Sequence, residues 1–199
     1  MKLKRLTALL LSVMMVLSLA ACGGGGDTKD DSASGDLSGK EIIIGNITPV
    51  TGAQAAYGLA ITNSIQLAID EINAAGGVNG KQLELNFQDS QGDPESAVSA
   101  YGKLMDWGMN VCLGGVLSGE TASVVAAAKA DDVLVMETTG SADKCIDGND
   151  KAFRICFYDS YQGAAAAQYI KDNNMVDTVG ILYQSDNDYS VGLYNACLL

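Results

Sequence analysis

Two hydroxyl-bearing runs carry the chemistry that this sequence offers. Ser118-Gly119-Glu120-Thr121 follows the apolar run Val111 to Leu113 and the link Gly114-Gly115-Val116-Leu117, and it opens an Ala/Val-rich stretch that reaches about Ala130. A helix that starts there presents unpaired N–H groups and the positive end of its dipole. With the Ser118 and Thr121 hydroxyls added, the chemistry is anion recognition, and a carboxylate suits it best. Ordinary capping is the plainer alternative: Ser118 accepts a backbone N–H and Thr121 stands exposed in the first turn. Thr138-Thr139-Gly140-Ser141 follows the next apolar run, Val133 to Met136. Loops that leave adjacent parallel strands at their carboxyl ends lie side by side, which sets this loop next to Ser118. Its plainer alternative is a solvated loop, with Glu137 ahead of it as a surface carboxylate.

Other chemistries find little support. The chain has no histidine, which removes the commonest general base and metal ligand. No Gly-x-Ser-x-Gly and no phosphate loop occurs, so no enzyme and no cofactor is expected. Asp186 and Asp188 suggest a calcium loop, but the other ligands and the bidentate Glu of that motif are missing. A formal net charge of −12 argues against nucleic acid and anionic membrane surfaces as partners.

These loops need a frame. Ile42, Ile43 and Ile44 form a short apolar run suited to a strand buried on both faces. Pro49 and Gly52 end it in a loop. Ile61, Ile65, Ala68 and Ile72 then recur at helical spacing, with Asn63, Gln66, Asp70 and Asn73 facing out. Gly76-Gly77 stops that helix, and Leu83, Leu85 and Phe87 alternate as a second strand. Asp93-Pro94-Glu95 is a helix start whose inner face carries Ala97, Tyr101 and Leu104. Further strands are expected at Arg154 to Phe157 and Thr178 to Tyr183, with helices from Tyr161 to Asn173 and from Tyr189 onward. Alternating strands and helices imply an α/β fold: a mostly parallel sheet with helices on both faces.

Pro49-Val50-Thr51-Gly52, Tyr57-Gly58, the run Ile72-Asn73-Ala74-Ala75-Gly76-Gly77-Val78-Asn79-Gly80-Lys81, and Asp89 to Asp93, in that order, resemble the Leu/Ile/Val-binding protein family. These are type I periplasmic solute receptors of ABC importers. The resemblance reaches about Leu193 and covers only the front half of such a receptor. It implies the type I periplasmic-binding-protein fold, truncated: ligand-binding lobe one over 41–158 and the beginning of lobe two over 159–199. In that family the Ser118–Thr121 position holds an amino-acid α-carboxylate. The Thr138 loop adds hydroxyl and backbone contacts. Glu137 stands where Pro is usual, which leaves the contact open among Thr138, Gly140 and Ser141. The resemblance sets Tyr57 against the ligand, with helix-start packing as the alternative, and closes Tyr189 on it from lobe two, although Ser190 replaces the usual Gly. The implied function is delivery of an amino acid, branched-chain or otherwise apolar, to ABC permease subunits by hinge closure. Alternatives are a sensory module of the same fold, or a receptor for another small carboxylate or amide.

The front of the chain reads separately. Lys2, Lys4 and Arg5 precede an apolar run from Leu6 to Leu19, about 14 residues and short of the roughly 20 that span a bilayer. Leu19-Ala20-Ala21-Cys22 resembles the bacterial lipoprotein signal. That implies a signal peptide over 1–21 and lipid on Cys22, anchoring an extracytoplasmic protein to the cell membrane. Residues 22–40, rich in Gly, Ser and Asp, are expected to be a flexible linker. Of the five cysteines, Cys112 in its apolar run is expected to be a buried, inert thiol, and Cys197 is left unpaired. Cys145 and Cys156 flank a loop that a disulfide can close outside the cytoplasm.

Overall fold

The structure is a computed structural model that describes residues 41–198. The expected leader over 1–21, the lipid site at Cys22 and the linker over 22–40 lie outside the described residues. Five strands, β1 (Ile42–Thr48), β2 (Leu83–Asp89), β3 (Val111–Gly114), β4 (Leu134–Glu137) and β5 (Ala152–Arg154), form one sheet in the order β2-β1-β3-β4-β5. Every neighbouring pair is parallel. The helices are α1 (Ala55–Ala74), α2 (Pro94–Asp106), α3 (Ser118–Ala130), α4 (Asp159–Asp172) and α5 (Asp188–Cys197), with a 3-10 turn at Asp143–Ile146.

This strand order has a functional consequence. The chain crosses from β1 to β2 in one direction, then returns past β1 to β3 and β4. With right-handed crossovers, α1 covers one face and α2 and α3 the other. The loops after β1 and β3 therefore part, and a crevice opens between them at the carboxyl edge. Ile47, Cys112 and Val135, one from each central strand, pack against Leu104 of α2 and Val124 of α3 in a single core.

The inner face of α1 differs from the expected one. Gly58, Thr62 and Ile69 are buried, Ile61 and Ile65 half-buried, and Ala68 and Ile72 exposed. Two polar and steric contacts set this rotation. Thr62 Oγ1 donates to Asn46 Oδ1 at 3.0 Å. Gly58 lies so close to the chain after β1 that a Cβ there would sit 2.1 Å from Pro49 O. Asn73, expected to face out, instead donates to Leu83 O (2.9 Å) and accepts from Leu83 N (2.7 Å), pinning the start of β2. At α2 the capping expectation is met: Asp93 Oδ1 accepts from Ser96 N at 2.8 Å, with Pro94 in the first turn.

Two expected strands come out otherwise. The last strand of the sheet lies at Ala152–Arg154 rather than Arg154 to Phe157. Thr178 to Tyr183 pairs with nothing among the described residues, and Leu182 is fully exposed. Its apolar, β-branched run is that of a strand, but a strand needs a neighbour to hydrogen-bond its backbone.

Candidate ligand site

The first turn of α3 floors a cleft of about 620 Å³ at the carboxyl edge of the sheet. Leu117, not Ser118, is the N-cap residue, and its N–H donates to Glu120 Oε2 at 3.2 Å. Ser118 is thus the first helical residue. Its Oγ accepts from Ala142 N at 3.2 Å, and the residue lines the cleft. Gly119 lines the cleft beside it. The chain reaches this turn through Val116 at φ 31, a left-handed conformation unusual for a β-branched residue. Thr139 Oγ1 donates to Val116 O at 2.7 Å and holds it there. A Cβ on Gly115, at φ 96, would lie 2.6 Å from Thr121 Cα, so the link tucks directly under the helix.

Of the expected contacts, Tyr57, Ser118, Ser141 and Tyr189 converge on the cleft, whereas Thr121, Thr138 and Gly140 do not line it. Thr121 is fully buried, and its Oγ1 lies 2.6 Å from Glu137 Oε2 and 3.0 Å from Leu117 O. Gly140 is a packing position: a Cβ there would sit 2.5 Å from Thr121 Oγ1. The Thr138 hydroxyl is buried without a hydrogen-bond partner among the described residues. Tyr189 Oη accepts from Gln162 Nε2 at 3.3 Å, joining α5 to α4. Thr139, Phe157 and Gln162 also line the cleft and were not anticipated.

Glu137 is not the surface carboxylate expected. It is fully buried, and its Oε1 accepts from both Thr139 N and Gly140 N at 2.7 Å. Burial pushes its carboxyl above the usual range against the pull of these donors. Alternation would have shown this, because Val133, Val135 and Glu137 share a strand face and the first two are core residues. Likewise Thr121 stands at helical spacing from Val124, Val125 and Ala128 on the buried side of α3. Glu120 is also buried, with its carboxyl pushed up to about 7 by desolvation.

The disulfide expected between Cys145 and Cys156 is not formed, and both are free thiols. Cys145 Sγ donates to Ser118 O at 3.5 Å, and Cys156 Sγ to Gly140 O at 3.4 Å, so each sulfur turns to a different carbonyl. Arg154 fixes the same loop from outside, donating to Gly140 O, Ala142 O and Asp143 O, with its guanidinium 3.7 Å from the Tyr158 ring centroid. Cys112 is buried as expected, its thiol pushed up to about 12 by desolvation. Among the described residues no group of three or more acidic or cysteine side chains is placed to hold a metal.

Known proteins match this arrangement. The sequence is 35% identical over 161 residues to the Leu/Ile/Val-binding protein BraC3 of Rhizobium johnstonii, covering 80% of this chain and 44% of that one. It is 31% identical over 157 residues to Leu/Ile/Val-binding protein homolog 3 of Brucella melitensis, covering 78% and 42%. Among solved structures, the branched-chain amino acid transporter substrate binding protein LivJ of Streptococcus pneumoniae, in complex with isoleucine, superposes with a TM-score of 0.76 at 32% identity, covering 80% of this chain and 46% of that one. The leucine binding protein LivK of Thermotoga maritima gives a TM-score of 0.74 at 27% identity, covering 79% and 44%. The chain thus spans less than half the length of these relatives. The sequence profile described as periplasmic binding protein matches residues 41–197, and the chain belongs to that family.

Proposed function

We propose that the protein is an extracytoplasmic solute receptor that binds an amino acid, branched-chain or otherwise apolar, and presents it to an ABC permease. The observation that carries this reading is the first turn of α3 on the cleft floor. There the Ser118 hydroxyl and unpaired helix N–H groups meet at the positive dipole end, a setting for a carboxylate. Tyr57, Leu117, Phe157 and Tyr189 supply apolar surface around it for a side chain. The relatives named for leucine, isoleucine and valine binding support the same ligand class. In this reading residues 41–158 form one lobe and residues from 159 onward begin the other. Ligand bridging the two favours the closed state.

Calorimetric titration of the full-length protein with L-leucine, L-isoleucine and L-valine tests the reading. Losing a hydrogen bond to a charged ligand group costs about 1.5–3 kcal/mol. Ser118→Ala should therefore weaken binding by roughly ten- to a hundredfold, at about 1.4 kcal/mol per decade. Equal affinity in the parent and Ser118→Ala would remove the carboxylate from this turn. We infer from the Leu19-Ala20-Ala21-Cys22 sequence that lipid on Cys22 anchors the receptor. Cys22→Ser should move the protein from the membrane fraction to the soluble one, and unchanged membrane retention would count against the anchor.

A further inference from the structure

Glu137 raises an accounting problem whose solution bears on the ligand site. Thr121 Oγ1 has one hydrogen but two acceptor oxygens in reach, Glu137 Oε2 at 2.6 Å and Leu117 O at 3.0 Å. With Glu137 ionised, one of these close oxygen–oxygen contacts holds no proton. With a proton on Oε2, Glu137 donates to Thr121 and Thr121 donates to Leu117 O, and both contacts are satisfied. Oε1 meanwhile keeps its two backbone donors, Thr139 N and Gly140 N. The surroundings favour the neutral acid. The titratable groups that face Glu137 are Cys112 on β3, Glu120 on α3, Cys145 in the 3-10 turn and Cys156 beyond β5, and none of them is a cation. The nearby guanidinium of Arg154 bonds loop carbonyls instead. Burial acts in the same direction.

We propose that Glu137 is the positioning residue of the ligand loop, holding as a neutral acid the chain Glu137 to Thr121 to Leu117 while its other oxygen fixes the backbone of Thr139 and Gly140. The consequence reaches the cleft without Glu137 touching ligand. Thr121 ties the loop to the first turn of α3, and the fixed backbone sets the Thr139 hydroxyl on Val116 O and presents Ser141 beside Ser118. The ligand-affinity part of this proposal rests on the receptor reading above; the loop-anchoring part does not.

Two variants of the full-length protein separate the possibilities. Glu137→Gln keeps the Oε1 acceptor and places an NH₂ donor against Thr121, mimicking the protonated acid. Glu137→Ala removes the anchor. Amide hydrogen exchange at Thr139 and Gly140 should match the parent in Glu137→Gln and run at least about tenfold faster in Glu137→Ala. L-isoleucine should bind Glu137→Gln with near-parental affinity at neutral pH and Glu137→Ala about tenfold more weakly. As pH rises through the Glu137 titration the parent should lose affinity and loop protection, while Glu137→Gln should lose neither. Parental exchange in Glu137→Ala overturns the anchor. An alkaline loss retained in Glu137→Gln overturns the neutral acid, and this arm decides the matter if Glu137→Ala does not fold. Should the parent bind no amino acid, the receptor reading fails while the exchange measurements still judge the anchor.

Discussion

Ser118 on α3 and Tyr189 on α5 face one cleft, yet what lies beneath them differs. Under Ser118 the side chains of Thr121, Val124, Val135 and Glu137 are fully buried, and the turn rests on a five-stranded sheet. Under Tyr189, α5 packs on α4 closely enough that a Cβ on Gly163 would lie 2.5 Å from Ala196 Cβ. Tyr183 stacks on Tyr194 with ring centroids 4.0 Å apart. In this part of the chain Leu182, Tyr161 and Tyr169 stand exposed, and among the described residues no strand follows Arg154. Apolar residues occur in both regions, but burial follows from a paired sheet with helices on its faces and not from composition. The first turn of α3, with Ser118, sits on the side that the sheet supports.

Matched truncations offer the sharpest way to break this contrast. Leu104, fully buried between α2 and the sheet, should cost about 2–5 kcal/mol on replacement by alanine. Leu182→Ala should change stability by no more than about 0.5 kcal/mol, because its side chain already meets solvent. Urea unfolding of the chain checks both. A cost near that of Leu104→Ala at Leu182 would mean that the 178–183 segment is covered in solution, and the contrast between the regions would fall.

Much of the sheet side was legible in the sequence. Ile42 to Ile44, the Asp93-Pro94 helix start and the run before Ser118 announce their elements through β-branching, capping and periodicity, and each element forms close to where it is expected. Three things were not legible, each for a physical reason. The face of α1 is turned by the Thr62–Asn46 hydrogen bond and the close approach at Gly58, both long-range contacts invisible to periodicity. The role of Asn73 depends on Leu83, ten residues on. A strand pattern at Thr178 to Tyr183 cannot report whether a neighbour is there to pair with it. Within the site, Tyr57, Ser118, Ser141 and Tyr189 follow from the resemblance and line the cleft together. Glu137 departs from the surface position that its charge suggests because the alternation with Val133 and Val135 sets its side chain inward.

A smaller effect sharpens the same comparison, because the sheet side also buries acids. Glu120 and Glu137 are raised chiefly by desolvation, as is Asp159 at the start of α4. A carboxyl raised in the folded state binds its proton more tightly there than in the unfolded chain. Its contribution to stability is then fully present below the unfolded value and is lost as pH rises through the folded one. For Glu120 that window runs from the ordinary 4.5 to about 7. Asp89 and Asp93 work oppositely: against desolvation, hydrogen bonds donated by Thr51 Oγ1, Gln91 N and Val50 N hold Asp89 below 3.8, and that from Ser96 N holds Asp93 below it. Their contribution is present above that value and is lost as pH falls through their lowered folded values. Stability should therefore peak on the acid side of neutrality and decline toward pH 7. Glu120→Gln should remove the share of that decline owed to Glu120, about 1–3 kcal/mol after allowance for solvent screening. Thermal unfolding of the parent and Glu120→Gln at closely spaced pH values from 4 to 8 reads the difference. A parent whose melting temperature rises steadily from pH 4.5 to pH 7, or a Glu120→Gln profile parallel to the parent's throughout, would show that the Glu120 carboxyl is solvated as freely in the fold as out of it.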